Sequence, residues 1–367
     1  MRPRIGVIGA GLMGAAHGKS VHFCLKNGLI DGEFVALAEP DPERRAAYAA
    51  RAGVSFVTAD AAELIASPDV NTVYICTPTV HHKALALEAL GRGKALFCEK
   101  PLAFNAGDAA VMAEAARKAG VTHQVGLVLR YAAVINVLRE LLAAPEMGRP
   151  MTAVMVDDQY FPTQGRYAST WRGDARLVGA GTLLEHAIHD VDMLLWFFGP
   201  VTHVYGTTRH FFEKEGVEDV SNAVLEFASG VVVSHTSIWH NLLHRGSSRR
   251  LTLVCEDGQL GYEDDDWAGP VWTDTNALAE RTQLSETEVV RRFVAQLELH
   301  GLGVGRLLSA VTPEYHGQDY LLEDYAFLRA VSEDRPASPD FGVAVEAHRV
   351  VDAVYASARS GERIALD

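Results

Sequence analysis

A lysine stands at the end of a segment that the sequence predicts to be a buried strand. The apolar run 95–98 leads directly into Glu99, Lys100 and Pro101. Lysine is rarely buried without a partner or a task, because its ammonium group is costly to remove from water. Proline then restricts the backbone that follows. The position of Lys100 therefore needs an explanation beyond packing.

A second segment combines acids and histidines at helical spacing. In 179–199 (GAGTLLEHAIHDVDMLLWFFG), Glu185, His189 and Asp192 fall at positions i, i+4 and i+7, on one face of a predicted helix. Histidine titrates near neutral pH, so a histidine that a carboxylate orients is suited to act as a general base. A structural role for His189 is the alternative at this point.

Metal binding is a further alternative, because His186, Asp190 and the pair His81-His82 are of ligand types. The acid and histidine side chains of 185–190, however, point to different faces of the predicted helix, and no cysteine joins them. We therefore expect no metal site.

Three glycines near the start form the pattern Gly9-x-Gly11-x-x-Gly14, directly after a predicted strand and at the start of a predicted helix. Gly9 permits a tight turn, Gly11 allows the backbone to approach a pyrophosphate, and Gly14 allows close packing of helix and strand. The helix N-terminus offers free N–H groups to the phosphates. With an acid, Glu39, at the end of the second predicted strand, the pattern predicts a dinucleotide cofactor.

Glu39 bears on which dinucleotide binds. Its carboxylate would accept hydrogen bonds from the adenosine ribose and repel a 2′-phosphate, which favours NAD over NADP. It lies 25 residues after Gly14, a little farther than is usual. Arg44 and Arg45 could reach a phosphate, so NADP stays possible, although helix-surface charge is the simpler role for them.

The elements that must position these residues are of two kinds. In the first third of the chain, short apolar runs alternate with alanine-rich segments at helical spacing, which predicts a doubly wound parallel sheet of the Rossmann type. Such sheets bind ligands at the carboxyl ends of their strands. The predicted strands are 4–8, 34–39, 72–76, 95–98 and 124–129, and the predicted helices are 12–27, 42–51, 60–66, 80–92 and 106–119.

After about residue 126, strands follow one another without helices between them, which predicts an α+β domain with a large, mainly antiparallel open sheet. The polar stretch 264–285 is expected to be an irregular surface excursion. We expect an NAD(P)-binding Rossmann domain over 1–126 and a domain for substrate binding and oligomerisation over 127–367. The predicted strands are 151–157, 201–211, 219–227, 231–239, 249–255 and 258–263, and the predicted helices are 134–144, 182–197, 286–300, 317–332 and 343–359.

Composition narrows the class of protein. A chain of 367 residues, 48% hydrophobic and 22% charged, is typical of a globular protein with more than one core. Its net charge of −14 argues against a nucleic-acid partner, and the pairs Arg249-Arg250 and Arg291-Arg292 are expected to be solvated. The four cysteines show no C-x-x-C spacing and the sequence has no recognisable signal peptide, which favours a cytoplasmic protein. It has no run of about 18 apolar residues, so we expect no membrane partner.

The glycine pattern, the element 99–101 and the acid-x-x-x-His helix, in this order, resemble the Gfo/Idh/MocA oxidoreductase family over nearly the whole chain. The segment CTPTVHHKALALEALGRGKALFCEKPLA (76–103) is similar to the stretch that joins that family's fourth and fifth strands, and GERIAL (361–366) to its closing segment. The resemblance implies an NAD(P)-dependent dehydrogenase that transfers a hydride between nicotinamide and a secondary hydroxyl of a sugar, inositol or related polyol.

The resemblance also implies roles for individual residues. Lys100 takes the place of a lysine beside the nicotinamide that hydrogen-bonds the reacting hydroxyl, and His189 takes that of the catalytic histidine. Glu185 stands where the family usually has aspartate, and would tune or orient those two. The implied cofactor contacts are Gly9, Gly11, Leu12, Met13, Gly14, Glu39, Thr77, Pro78, His82, Glu99 and Lys100, and the expected substrate contacts are Arg130, Tyr131, Tyr160, Trp171, Arg172 and Asp192.

Two other functions stay open. An NAD-dependent glycoside hydrolase or lyase would use the same loop and lysine for a transient oxidation, without net production of NADH. A non-catalytic NAD(P)-binding sensor would have no need of Lys100 and His189.

Because one face of the antiparallel sheet should be free to pair with another subunit, we expect a homodimer or homotetramer.

Overall fold

The computed structural model describes residues 1–165, 168–212, 214–244, 246–263, 269–276, 280–299 and 319–366. They form two compact units. The first contains residues 1–128 and 319–346, and the second contains the described residues of 129–299 together with 347–366. The predicted division assigned everything after residue 126 to the second domain, whereas residues 319–346 belong to the first unit.

The first unit is built on six parallel strands in the order β3-β2-β1-β4-β5-β6. The strand order reverses between β1 and β4, which is the point where doubly wound sheets bind ligands. Nearly every residue of the inner strands is buried, as crossover helices require. The strands are β1 Arg4–Ile8, β2 Glu33–Ala38, β3 Phe56–Thr58, β4 Thr72–Ile75, β5 Ala95–Cys98 and β6 His123–Val125, and the helices are α1 Leu12–Lys26, α2 Pro42–Ala52, α3 Ala61–Ala66, α4 His82–Gly91 and α5 Ala106–Ala119.

The second unit is built on a nine-stranded sheet in the order β14-β13-β12-β11-β7-β10-β9-β8-β15. All of its pairs are antiparallel except that between β10 and β7, which confirms a mainly antiparallel sheet. The strands are β7 Pro150–Tyr160, β8 Val201–Arg209, β9 Val220–Phe227, β10 Val232–His240, β11 Ser248–Cys255, β12 Gly258–Glu263, β13 Val271–Thr275, β14 Thr282–Leu284 and β15 Ile364–Ala365, and the helices are α6 Ala133–Leu142, α7 Ala175–Val178, α8 Thr182–Glu185, α9 Ile188–Phe198 and α10 Glu286–Leu299.

Two more helices, α11 Asp319–Glu333 and α12 Phe341–Ser360, follow in the chain. Helix α11 packs against α1 and buries Leu322, Phe327 and Val331 in the first unit. These side chains explain why residues far along the chain return to the first core. Among the described helices, none has the length and apolarity that crossing a bilayer requires.

Several sequence-based boundaries were wrong. The predicted strand 124–129 ends at Val125, because residues 128–131 turn into a short 3₁₀ helix. The stretch 264–285, expected to be irregular, contains β13 and β14, which extend the sheet beyond β12. The predicted helix 182–197 is two helices, because α8 ends at Glu185 and α9 begins at Ile188.

The start of α8 is fixed by a buried acid from the loop before β9. The carboxylate of Glu218 accepts the N–H groups of Gly181 and Leu183 at 2.6 and 2.9 Å, and the hydroxyl of Tyr355 at 2.8 Å. A Cβ atom on Gly181 would lie 1.8 Å from the carbonyl oxygen of Glu218. Only glycine therefore allows this close approach of the two backbones.

We expect Gly181→Ala to lower the stability of the second unit by about 1–3 kcal/mol or more, because two backbone segments would have to separate. Gly91→Ala is the matched control, since a Cβ there meets no atom within 4 Å. The thermal unfolding midpoint of Gly91→Ala should stay unchanged or rise slightly. Equal midpoints for the two variants would show that the contact between Gly181 and Glu218 does not constrain the fold.

Candidate active site

The carboxyl ends of five strands of the first unit lie level with one another. Strand register pairs Ile8 with Ala38 and Ile75, and Cys98 with Ile75 and Val125. The residues that follow these ends therefore lie along one edge of the sheet; they are Glu39, Gly9, Cys76, Glu99 and Gly126. Most of the predicted cofactor residues are among these five or next to them.

The glycine loop has the shape that a pyrophosphate requires. Gly9 has φ +98°, and a Cβ on it would lie 2.6 Å from the carbonyl oxygen of Cys76. A Cβ on Gly14 would lie 1.9 Å from the carbonyl oxygen of Gly9, so this glycine closes the turn. Gly11, in contrast, has no atom within 4 Å of its Cβ position and directly precedes Leu12 and Met13 in the first turn of α1. The open backbone at a helix N-terminus fits a bound phosphate group.

Glu39 lies at the end of β2 as predicted, and its carboxylate is already oriented. Oε2 accepts the N–H of Ala10 at 2.7 Å, and Oε1 accepts that of Asp41 at 3.0 Å. Each oxygen can accept further hydrogen bonds, so the acid fits the ribose role. The two arginines differ: Nη2 of Arg44 lies 3.4 Å from Oε1 of Glu39, whereas Arg45 donates to the backbone carbonyl of Glu39 at 2.6 Å.

His82 is placed differently from the expectation that it lines the cofactor. Its ring is buried, with Nδ1 2.9 Å from the carbonyl oxygen of Pro101 and Nε2 2.9 Å from that of Thr77. The histidine thus connects the loop after β4, which includes Thr77 and Pro78, to the turn that contains Lys100. It is a positioning residue in this structure.

Lys100 directly follows Glu99 at the tip of β5, and the peptide between Lys100 and Pro101 is cis. Glu99, expected among the cofactor contacts, is only 5% exposed and points into the unit. Oε2 of Glu99 accepts the N–H of Lys100 at 3.0 Å, while Oε1 lies 2.8 Å from Nε2 of His17. A Cβ on Gly126 would lie 3.0 Å from this carboxylate, so the glycine leaves room for it.

In the second unit, the break between α8 and α9 replaces the single polar stripe that we predicted. Glu185 ends α8, and His189 lies in the first turn of α9; both are buried. Nε of Arg172 lies 2.9 Å from Oε1 of Glu185, so the acid forms an ion pair with a predicted substrate residue. The guanidinium of Arg172 also lies 5.3 Å from the ring centroid of Trp171.

Arg130 and Asp192, two predicted substrate residues, bind each other. Nε and Nη2 of Arg130 donate to the two carboxylate oxygens of Asp192 at 2.8 and 2.7 Å. Burial raises the pKa of Asp192, although Arg130 opposes this. This bidentate pair joins the 3₁₀ turn, which also contains the buried Tyr131, to α9.

The expected aromatic contacts are largely packed into the second unit. Tyr160 is buried, and a Cβ on Gly165 would lie 2.6 Å from its ring. Trp239, another aromatic residue of the second unit, is buried in a small core cluster with Phe161, and Trp171 packs against that cluster while staying partly exposed. Of the three, Trp171 therefore keeps the most surface available for a ligand.

The second unit contains a buried charge cluster that the sequence patterns did not predict. Arg249, which we expected to be solvated, is buried and lies 3.0 Å from Asp157 and 2.9 Å from Asp190. His235 lies 3.2 Å from Asp190, and Nε2 of His186 lies 2.9 Å from Asp157. Among the described residues, neither this cluster nor any other group of three or more histidine, cysteine or acidic side chains is arranged so that it could hold a metal ion. The alternation of buried positions along β11 is the signal that would have placed Arg249 inside.

Despite burial, Arg249 and His186 lower the pKa of Asp157, whereas burial and the charge of Asp157 raise the pKa of Asp190. The pKa values of the two acids thus shift in opposite directions, and both carboxylates contact the same arginine. The cluster anchors the first turn of α9, next to His189, on β7, β10 and β11.

Comparisons with known proteins agree with this arrangement. Residues 3–127 match the profile of the GFO/IDH/MocA oxidoreductase family with an NAD-binding Rossmann fold, and residues 135–261 match the GFO/IDH/MocA C-terminal domain. The inositol 2-dehydrogenase of Rubrobacter xylanophilus is 32% identical over 98% of this chain and 92% of its own. The chain belongs to the GFO/IDH/MocA family. The expected family, Rossmann fold and NAD-type cofactor are thereby confirmed.

Two further relatives support the likeness. The 1,5-anhydro-D-fructose reductase of Ensifer adhaerens is 35% identical over 55% of this chain, and the matched part spans 60% of that reductase. A levoglucosan dehydrogenase, solved in complex with NADH and levoglucosan, superposes with a TM-score of 0.83 at 21% identity over 100% of this chain and 99% of its own. The structural likeness concerns the fold.

Gly11 allows a direct test of the cofactor loop. We expect Gly11→Ala to leave the thermal unfolding midpoint unchanged, because the Cβ position borders open space. Binding of NADH should weaken by about tenfold or more, since the methyl group would occupy the path of the pyrophosphate. Titration of NADH fluorescence measures the affinity. Unchanged affinity would show that the phosphates bind elsewhere.

Proposed function

We propose that this protein catalyses reversible oxidation of a secondary hydroxyl of a sugar, inositol or related polyol, with NAD as the redox partner. Membership of an NAD-binding oxidoreductase family is the observation that carries the proposal. Relatives named as inositol dehydrogenase and anhydrofructose reductase support the substrate class. The bound nicotinamide would accept or return the hydride, while the chain supplies binding, orientation and charge.

Each residue of the chain has a distinct task in this proposal. His189 removes the hydroxyl proton of the substrate as general base. The ammonium group of Lys100 stabilises the negative charge that develops on the same oxygen. Glu185 acts through Arg172, its ion-pair partner, and so orients a substrate contact. The pair Arg130–Asp192 holds α9 and with it His189.

NAD is the proposed cofactor in preference to NADP. The carboxylate of Glu39 would bind the ribose hydroxyls and repel a 2′-phosphate. Arg45 is engaged with backbone carbonyls, which leaves Arg44 to reach a phosphate. Arg44 lies beside the acid, so its charge would soften the discrimination without reversing it.

The proposal is tested by incubating the protein with NAD or NADP and a panel of aldoses, inositols, anhydrosugars and sugar acids, following NADH absorbance. We expect NADH to form with one compound class. Lys100→Met and His189→Ala should each lower kcat by about 100-fold or more while NADH still binds. Full turnover by both variants would refute the catalytic roles. A silent panel with bound NADH would favour the glycoside hydrolase or lyase, which product release from glycosides would reveal.

We also propose a homodimer or homotetramer, in which two copies pair through the exposed face of the nine-stranded sheet. Register places Tyr205, Val224, Ser234 and Val154 in one row across the sheet, and its three apolar members have exposed fractions of 44%, 38% and 54%. A mainly apolar row of this kind is a surface that a second copy can cover, and a two-fold axis would pair the row with itself. We further propose a cytoplasmic location, which the four unpaired cysteines support.

The sheet face is tested with the double variant Val154→Asp/Val224→Asp, because buried carboxylates would oppose pairing. Mass from light scattering should fall from that of a dimer to that of a monomer, or from that of a tetramer to that of a dimer. Val57→Asp is the control, since Val57 is equally apolar and exposed on β3 of the first unit. If the double variant keeps the assembly of the wild type, another surface mediates it.

A further inference from the structure

The first unit contains a buried hydrogen-bonded chain that begins on α11 and ends at the main chain of Lys100. Oδ1 of Asp324 lies 2.8 Å from Nδ1 of His17, and Nε2 of the same ring lies 2.8 Å from Oε1 of Glu99. The other oxygen of Glu99 accepts the N–H of Lys100 at 3.0 Å. His17, Asp324 and Glu99 are all buried.

The chemistry of His17 makes this chain a firm connection. A ring with a carboxylate at each nitrogen donates to both only as imidazolium. Burial lowers the pKa of His17, but the charge of Asp324 and the hydrogen bonds that the ring donates to both acids outweigh it and raise the pKa well above 6.5. The hydrogen bond and charge of His17 in turn lower the pKa of Glu99, against the effect of burial. Two charge-assisted hydrogen bonds therefore hold the ring.

Aromatic side chains also fix the plane of the ring. The ring centroids of Phe97, Tyr74 and Tyr320 lie 4.8, 5.7 and 5.9 Å from that of His17. Phe97 is on β5, two residues before Glu99, and stacks on Tyr74 of β4 at 4.9 Å. The ring thus has little freedom to turn away from Glu99.

His17 lies on α1, the helix that begins at the glycine loop. Its ring therefore links three places: the helix that faces the pyrophosphate, the end of β5, and α11 from the last part of the chain. Through Glu99, which also accepts the N–H of Lys100, this link extends directly to the main chain of the lysine.

We infer that Asp324, His17 and Glu99 act together as positioning residues for Lys100, setting its main chain at a fixed place relative to the helix that binds the cofactor. The inference rests on the proposed role of Lys100. The three residues touch neither substrate nor cofactor in this role, and they act through the backbone of the lysine. A displacement of about 1 Å at a reacting group can lower a rate by about 100-fold, so such a device would be felt in kcat.

The test compares His17→Gln, Lys100→Met and the double variant, using the panel compound with the highest turnover. A glutamine amide at residue 17 could reach only one of the two carboxylates. We expect His17→Gln to lower kcat by about 10- to 100-fold while NADH affinity changes by less than about threefold. In the Lys100→Met background the same substitution should have no further effect on the single-turnover rate, because the group that it positions is gone.

Asp324→Asn tests the same chain with a milder change than His17→Gln. Asparagine has the same size as aspartate, and its amide oxygen can still accept the N–H of His17. Its loss of kcat should be smaller and should also disappear in the Lys100→Met background. His348 is a buried histidine of the second unit, so His348→Gln is the control for loss of stability alone. Its kcat per folded molecule should equal that of the wild type.

Three results would overturn the inference. The first is an unchanged kcat in both His17→Gln and Asp324→Asn when Lys100→Met is impaired. The second is a double variant whose rate falls by the product of the two single-variant losses, which would indicate a general structural effect. The third is full turnover by Lys100→Met, since the proposed role of the lysine, on which the inference depends, would then fail first.

Discussion

Burial of carboxylates next to the candidate catalytic residues is the constraint on which the rest of the structure depends. Glu99 precedes Lys100, and Asp190 follows His189 in the chain. A buried carboxylate is tolerated only when charges and hydrogen bonds compensate for its lost hydration. Each acid therefore dictates what surrounds it, and the backbone of the neighbouring candidate residue is held in place as a consequence.

The two units meet this constraint with different partners. In the first, Glu99 and Asp324 share the imidazolium of His17, and Gly126 leaves space for the carboxylate. In the second, Asp190 and Asp157 share Arg249. Breaking either group by removing the cation would leave an uncompensated buried charge, which is far more costly than loss of a surface pair. The positions of Lys100 and His189 thus depend on cations that lie far from them in sequence.

Local patterns explain how much of this the sequence could reveal. The glycine loop, Glu39 and the lysine at the tip of β5 are recognisable because a strand end, a tight turn and a helix start each impose residue types within a few positions. Asp324 lies on a helix more than 300 residues from His17. No local pattern connects these two, and neither residue type is distinctive on an amphipathic helix. Arg249 was misplaced for a related reason, because an arginine pair resembles solvated surface until the sheet shows that one member faces inward.

The break between α8 and α9 shows how a correct pattern can give a wrong geometry. Helical spacing put Glu185 and His189 on one face, but Glu218 fixes the start of α8 and the chain turns at His186 and Ala187. Glu185 consequently forms an ion pair with Arg172. A shorter aspartate, which the family usually has here, would withdraw the carboxylate by about one methylene, and distances of that size matter for oriented groups. Glu185 and Arg172 are therefore one unit in this structure, and a shorter acid would alter its contact with the arginine.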